Sequence, residues 1–323
     1  MKEIRFSVAG QQYSLPNRWE DLTPEQFIFL CQLLADYGAG KISPMQVKIS
    51  LVCQCMDWDP QKITEADAHA NLFVLASRIS FIFDIVYPDG VLDAIPAADR
   101  SQLRKCEPAN LTDRKLSRYL SKQSYSYAVS SSFAAQLIPE LKIGRKTVPG
   151  YSICTDQGML TCSLTSLQFL EAIELLPLIK THEQLQLLAS ILYFEGEYNA
   201  EMAHQRAELF AKADPVTLQA ISLNFQAFTS FLMCKTRFSI LRSSADAAQE
   251  RGISLSSVDE LYALASDGLG DVHSLEQMNC ITYLSILRRR LIVGVRALRD
   301  MKMENSEISH KTGLHLSIIR QIV

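Results

Sequence analysis

Polarity alternates from Ile4 to Val8, with Ile4, Phe6 and Val8 set against Arg5 and Ser7, the period of a half-buried strand. A partner strand is expected over Gln12 to Leu15, with Ala9-Gly10 turning the chain into a β-hairpin. The period then changes. After Trp19-Glu20-Asp21-Leu22, the run Thr23-Pro24-Glu25-Gln26 reads as a capping box, in which Thr23 accepts from the helix amides and Gln26 reaches back to the cap N–H. Phe27, Leu30, Cys31, Leu34 and Ala35 follow at helical spacing until Gly38 and Gly40. Ser43-Pro44-Met45-Gln46 repeats the capping pattern before Val47, Leu51, Val52 and Cys53, and Asp59-Pro60 ends that segment.

The same order of periods returns from residue 151. Tyr151 to Cys154, a turn at Asp156-Gln157-Gly158 and Met159 to Leu164 predict a second hairpin, and Thr165-Ser166-Leu167-Gln168 caps the helix after it. At an offset of 142, Leu22, Thr23, Gln26, Phe27, Leu33 and Leu34 fall on Leu164, Thr165, Gln168, Phe169, Leu175 and Leu176. Thr181-His182-Glu183-Gln184 then stands where Ser43-Pro44-Met45-Gln46 stood, after a loop about four residues shorter. We read this as an internal duplication, whose two units are expected to pack about a pseudo-twofold axis or as a short array.

The fold class expected is mainly α, with two related hairpin-plus-helices units and a C-terminal helical region. Further helices are expected from Asp214-Pro215 through Ile221, Phe225, Phe228 and Leu232, from Ser257-Val258-Asp259-Glu260, and from Ser274-Leu275-Glu276-Gln277 through Leu284, Leu287, Leu291 and Leu298. The aromatic stripe on the first of these reads as core.

Charge changes the division of the chain. Lys/Arg against Asp/Glu run 7 to 13 over residues 1–99, 10 to 3 over 100–146, 7 to 16 over 147–285 and 8 to 3 over 286–323. The expected domains are therefore a first unit over 1–99, a basic connector over 100–150, a second unit over 151–250 and a helical region over 251–323. The connector, with Arg100, Arg104, Lys105, Arg114, Lys115, Arg118 and Lys122, is either solvated or a docking strip for an acidic surface or nucleic acid.

Net charge of −3 argues against a wholesale nucleic-acid binder. No apolar stretch approaches the roughly twenty residues of a membrane span, and the charged start lacks the apolar core of a signal peptide, so a cytosolic protein with no membrane partner is expected. The eight cysteines are scattered; Cys53-x-Cys55 has no second ligand pair, so neither metal nor cofactor is expected. Gly144-Arg145-Lys146-Thr147 lacks the spacing of a phosphate-binding loop, and Gly268-Leu269-Gly270 lacks the third glycine of a dinucleotide fingerprint. The histidines form no cluster, and Glu195, Glu197 and Glu201 read as one exposed face. No catalytic residues are assigned, and the chain is not expected to be an enzyme.

The last residues carry a different pattern. Asn305 to Thr312, Gly313 and Leu314 to Arg320 resemble a helix-turn-helix, with Ile308, Leu314 and Ile319 as its small core. Candidate nucleic-acid contacts are Arg288, Arg289, Arg290, Lys311, His315, Ser317, Arg320 and Gln321. A plain helical closure of the fold is the other reading.

The stretch from Met1 to about Pro60, with its Trp19-x-x-Leu22-Thr23-Pro24-x-Gln26 motif, resembles uncharacterised phage or prophage proteins of gut Bacteroidetes, often grouped with tail-assembly or structural genes. The resemblance covers about a fifth of the chain, extended by the repeat from 151. It implies a scaffold, chaperone or virion component, cytoplasmic or virion-associated, whose partners are other proteins, phage tail or virion components, or copies of itself. The candidate partner-binding residues are Trp19, Leu22, Thr23, Gln26, Phe27, Leu164, Thr165, Gln168 and Phe169. The alternative function is DNA binding through the C-terminal motif.

Overall fold

The computed structural model describes residues 3–8, 10–59, 66–93, 95–156, 158–241 and 257–322. These form fourteen α-helices and four two-stranded antiparallel sheets, so the chain is mainly α with small β additions. It divides into two compact units, Met1–Ser131 and Ser132–Val323.

Unit 1 opens with the expected hairpin, β1 (Ile4–Val8) and β2 (Gln11–Leu15), with Ile4 opposite Leu15. Gly10 makes the turn at φ 83°, a conformation that a side chain disfavours. Helix α1 (Pro24–Gly38) and helix α2 (Pro44–Met56) both begin in complete capping boxes, Thr23 with Gln26 and Ser43 with Gln46. Their inner faces bury Phe27, Leu30, Val47, Leu51 and Val52. The Trp19 ring meets Phe27 and Phe81 edge-on at 6.1 and 5.2 Å, and its Nε1 donates to the Ser130 carbonyl at 2.7 Å. Helix α3 (Ala66–Arg78) leads into β3 (Phe83–Val86), which pairs with β4 (Ser126–Val129) across forty residues of chain, Phe83 facing Val129. The intervening helices α4 (Ala97–Leu103) and α5 (Arg114–Leu120) enclose a second small core of Ile85, Tyr87, Leu92, Leu103 and Leu120.

Unit 2 begins with a hairpin that the sequence reading missed, β5 (Glu140–Ile143) and β6 (Lys146–Pro149), turning at Gly144 with φ 61°. The glycine-lysine run examined for phosphate binding is this turn. The expected hairpin follows as β7 (Ile153–Asp156) and β8 (Met159–Cys162), then α6 (Ser166–Leu175) and α7 (His182–Leu192), each starting in a capping box. Helix α8 (Ala200–Arg206) precedes α9 (Pro215–Lys235), whose Ile221, Phe225, Phe228 and Leu232 are buried as expected of a core stripe. Asn224 on α9 is buried too; it accepts the Leu137 N–H and donates to the Ala135 carbonyl, both at 2.7 Å, which satisfies an extended segment that has no strand partner there. Helices α10 (Ser257–Ser266), α11 (Val272–Glu276), α12 (Cys280–Asp300), α13 (Asn305–Thr312) and α14 (Leu316–Ile322) complete it.

Two expectations are corrected. The segment 100–150 is no separate connector: its first part supplies α4, α5 and β4 to unit 1 and its second part supplies β5 and β6 to unit 2, because Leu103, Leu116 and Leu120 carry one apolar face into a core. Ser274 caps no long helix. Asp271 takes the cap by accepting the Ser274 N–H at 2.9 Å, α11 ends at Glu276, and Asn279 starts α12 anew by accepting the Ile281 N–H at 3.0 Å. The expected boundary at 250/251, and the Ser257 to Glu260 cap side chains, lie outside the described residues.

Candidate functional site

The C-terminal motif folds as its pattern implied. Helix α13 ends on Gly313 at φ 74°, and Ile308, Leu314, Ile319 and Ile322 pack with Val295 of α12 and Ile240. Ser309, which stands where a small apolar residue is usual in such motifs, bridges the turn: its hydroxyl donates to the Leu314 carbonyl at 2.7 Å. Glu307 reaches back to accept the Glu304 N–H at 2.9 Å, fixing the start of α13.

The eight candidate nucleic-acid residues divide into two groups. Arg288 donates its Nε to the Arg237 carbonyl at 3.0 Å, and Arg290 forms an ion pair with Asp267 near the end of α10. His315 is the cap of α14: its Nδ1 lies 2.8 Å from the Ser317 hydroxyl and accepts the Ser317 N–H at 3.3 Å. Those four thus make contacts inside unit 2. Arg289, Lys311, Arg320 and Gln321 are exposed, and none of them makes an ion pair among the described residues. A shallow hollow of about 440 Å³ at Lys311 is lined also by Met303, Ser306, Glu307 and His310.

The candidate partner-binding residues are corrected more sharply. Trp19, Leu22, Phe27, Leu164, Gln168 and Phe169 are buried, and Thr23, Gln26 and Thr165 are committed to caps. The motif is conspicuous because it starts a helix and seats an aromatic in the core, and neither job leaves an apolar face for a partner. Exposed apolar side chains occur elsewhere: Phe73 and Val74 on α3 in unit 1, and Leu178, Met202 and Leu209 in unit 2. An open groove of about 660 Å³ between the start of α7 and α9 is lined by Ile179, Leu185 and Leu223 among Lys180, Gln219 and Gln226.

Two clusters were invisible in the sequence. In unit 1, Lys48 of α2 is buried with its Nζ 3.6 Å from Glu107, and the Tyr127 hydroxyl of β4 donates to the same carboxylate at 2.8 and 3.0 Å. Burial lowers the Lys48 pKa, with Glu107 opposing it, while burial and then Glu107 raise that of Tyr127. Burial pushes the neighbouring Tyr87 hydroxyl up to about 12; it has no hydrogen-bond partner among the described residues. The cluster ties α2, the segment before α5 and β4 together. In unit 2, the thiols of Cys162 (β8) and Cys280 (α12) are both buried, and the interaction between them lowers the pKa of Cys162 and raises that of Cys280 far above the usual thiol range. Both clusters join residues far apart in the chain, so no local spacing could have flagged them.

The acidic run is a surface feature, as expected: Glu195 pairs with Lys146 at 3.0 Å and Arg206 at 3.8 Å, and Glu197 lies 3.1 Å from His273. Among the described residues no three His, Cys, Asp or Glu side chains are placed to hold a metal ion, and no helix is long and apolar enough to cross a membrane. No protein-family model matches the chain, and no curated protein and no solved structure is similar to it.

Proposed function

We propose that this chain is a non-enzymatic structural or assembly protein of the phage and prophage type, tail-morphogenesis-like, acting by binding other proteins. The observation that carries the reading is the order of elements: hairpin, capped helix, capped helix stands once in each compact unit, with α6 at an offset of 142 from α1 and α7 at an offset of 138 from α2. Duplicated binding units are a common way to join two copies of a partner or two neighbouring partners. The ionisable groups support binding over catalysis, since Lys48 and Tyr127 are engaged with Glu107 in unit 1, and Glu195 with Arg206 in unit 2. Its place is then the cytoplasm of the producing cell or the virion.

The contact surfaces are the exposed apolar side chains, with the motif residues holding the scaffold beneath them. Native mass spectrometry with the products of neighbouring genes should give a defined complex, and Phe73→Glu with Val74→Glu should weaken it at least about tenfold. A chain that stays monomeric and binds none of them sinks this reading.

A second reading, DNA binding through α13 and α14, is favoured by exposed Arg289, Lys311 and Arg320 beside a packed helix-turn-helix core. Gel shifts with duplex DNA should weaken steeply with salt, and Arg289→Ala with Arg320→Ala should flatten that dependence by a slope of about two. Absence of binding at low salt ends it.

A further inference from the structure

We propose that the outer face of α5, together with Tyr125, is a binding strip for single-stranded nucleic acid. Helix α5 is anchored from one side: Leu116 and Leu120 pack into the core of Tyr87, Leu92 and Leu103. That leaves Arg114, Lys115 and Arg118 exposed along two turns, with Lys122 just beyond the helix. Arg114 and Arg118 are one turn apart, as are Lys115 and Tyr119. Residues 100–131 hold seven Lys/Arg and two Asp/Glu, and both acids are occupied. Asp113 accepts the Lys115 and Leu116 N–H groups at 2.8 and 3.1 Å as the cap of α5, and Glu107 is held by Lys48 and Tyr127. None of the four cations makes an ion pair among the described residues.

Charge alone would suit any polyanion; the aromatic rings select among them. Tyr119 is 46% exposed, with its hydroxyl 3.4 Å from the Val91 carbonyl, and Tyr125 is 37% exposed. The Tyr125 ring is wedged 5.8 Å from Tyr87 and 5.7 Å from Tyr127. Its visible face is thus fixed by packing before any ligand arrives, which reduces the ordering cost of stacking. The Tyr125 ring thus rests on Tyr87 of the same small core that seats α5. Cations that neutralise phosphates beside exposed rings that stack unpaired bases are the two components of sequence-tolerant single-strand binding. A duplex hides its base faces, and an acidic peptide has none.

The test uses the full chain and a fluorescent oligodeoxythymidine of about twenty nucleotides, followed by anisotropy across a salt series. The expected result is binding whose logarithmic salt slope is about −2 to −3, the value for three or four neutralised phosphates. Replacing Arg114, Lys115, Arg118 and Lys122 by Ala should weaken it at least about tenfold and bring the slope near zero; Arg118→Ala with Lys122→Ala serves as the milder pair if the quadruple variant loses its circular-dichroism melt. Tyr119→Ala should weaken binding about tenfold with the slope unchanged, since stacking releases no counterion. Arg289→Ala with Arg320→Ala should leave the affinity unchanged, which separates this strip from the C-terminal motif. The proposal is overturned by no binding at low salt, by loss of binding in the Arg289, Arg320 variant, or by equal competition from duplex DNA or poly-L-glutamate.

Discussion

The start of α1 in unit 1 and the start of α6 in unit 2 share one local grammar and differ in what the cap residues reach beyond their own helix. Thr23 and Gln26 exchange their bonds at the surface, at 3.3 and 3.0 Å, and the Gln26 side chain makes no other hydrogen bond among the described residues. Thr165 and Gln168 exchange the same two bonds at 3.2 and 3.4 Å, but Gln168 is buried and also donates Nε2 to the Ile191 carbonyl of α7 at 2.5 Å. Beside it the Ser166 N–H donates to Met278 at 2.7 Å, its hydroxyl donates to the Leu275 and Glu276 carbonyls, and the Cys280 N–H donates to Leu164 at 3.0 Å. In unit 1 the cap is a local device. In unit 2 it is the joint at which α6, α7, α11 and α12 meet, so the same residue types carry a larger share of the unit's stability there.

The largest expected effect tests that joint. Ser166→Val should cost about 3 kcal/mol, because it removes the donor to one buried and one half-buried carbonyl and adds a methyl group to a filled site. The matched change, Pro24→Ala at the offset of 142, should cost under about 0.5 kcal/mol, as Pro24 only presets a first-turn φ. Both tryptophans, Trp19 and Trp58, belong to unit 1, so fluorescence follows that unit alone while far-ultraviolet circular dichroism follows both. Urea midpoints by the two signals assign each loss to its unit; equal losses for the two substitutions would break the comparison. Next in size, Gln168→Ala should cost about 2 kcal/mol and Gln26→Ala about 1 kcal/mol or less, since only the first leaves a buried carbonyl of another helix without its donor. A larger loss at Gln26 than at Gln168 would reverse the assignment of roles.

What could be read in the sequence follows the same line between local and distant. The hairpin at Ile4 to Leu15, the boxes at Thr23, Ser43, Thr165 and Thr181, the buried stripe on α9 and the core of Ile308, Leu314 and Ile319 are all set by residues within one or two turns of each other, where spacing is informative. The pairing of Phe83 with Val129 is not, because an antiparallel partner forty residues away leaves no periodic trace. That pairing is what makes β4, and with it the basic stretch before it, part of unit 1. The candidate partner residues were misjudged for a related reason: Trp19 and Phe27 stand out in a linear reading, yet large apolar side chains beside a helix start are most often there to be buried. Lys48 with Glu107, and Cys162 with Cys280, needed the fold before they could be seen at all.

The smallest difference is expected where the two joints are alike. Thr23→Ala and Thr165→Ala each remove one hydroxyl that accepts from the third helical residue, Gln26 or Gln168, and each should cost about 1 kcal/mol. Neither hydroxyl has a second hydrogen-bond partner among the described residues, so the burial of the surrounding joint in unit 2 should add little. Equal losses would locate the asymmetry in Ser166 and Gln168, the residues whose side chains reach another helix. A loss at Thr165 exceeding that at Thr23 by more than about 1 kcal/mol would mean that the isolated bridge between Thr165 and Asn279 depends on the threonine side chain. The joint in unit 2 would then begin one residue earlier, at the cap itself.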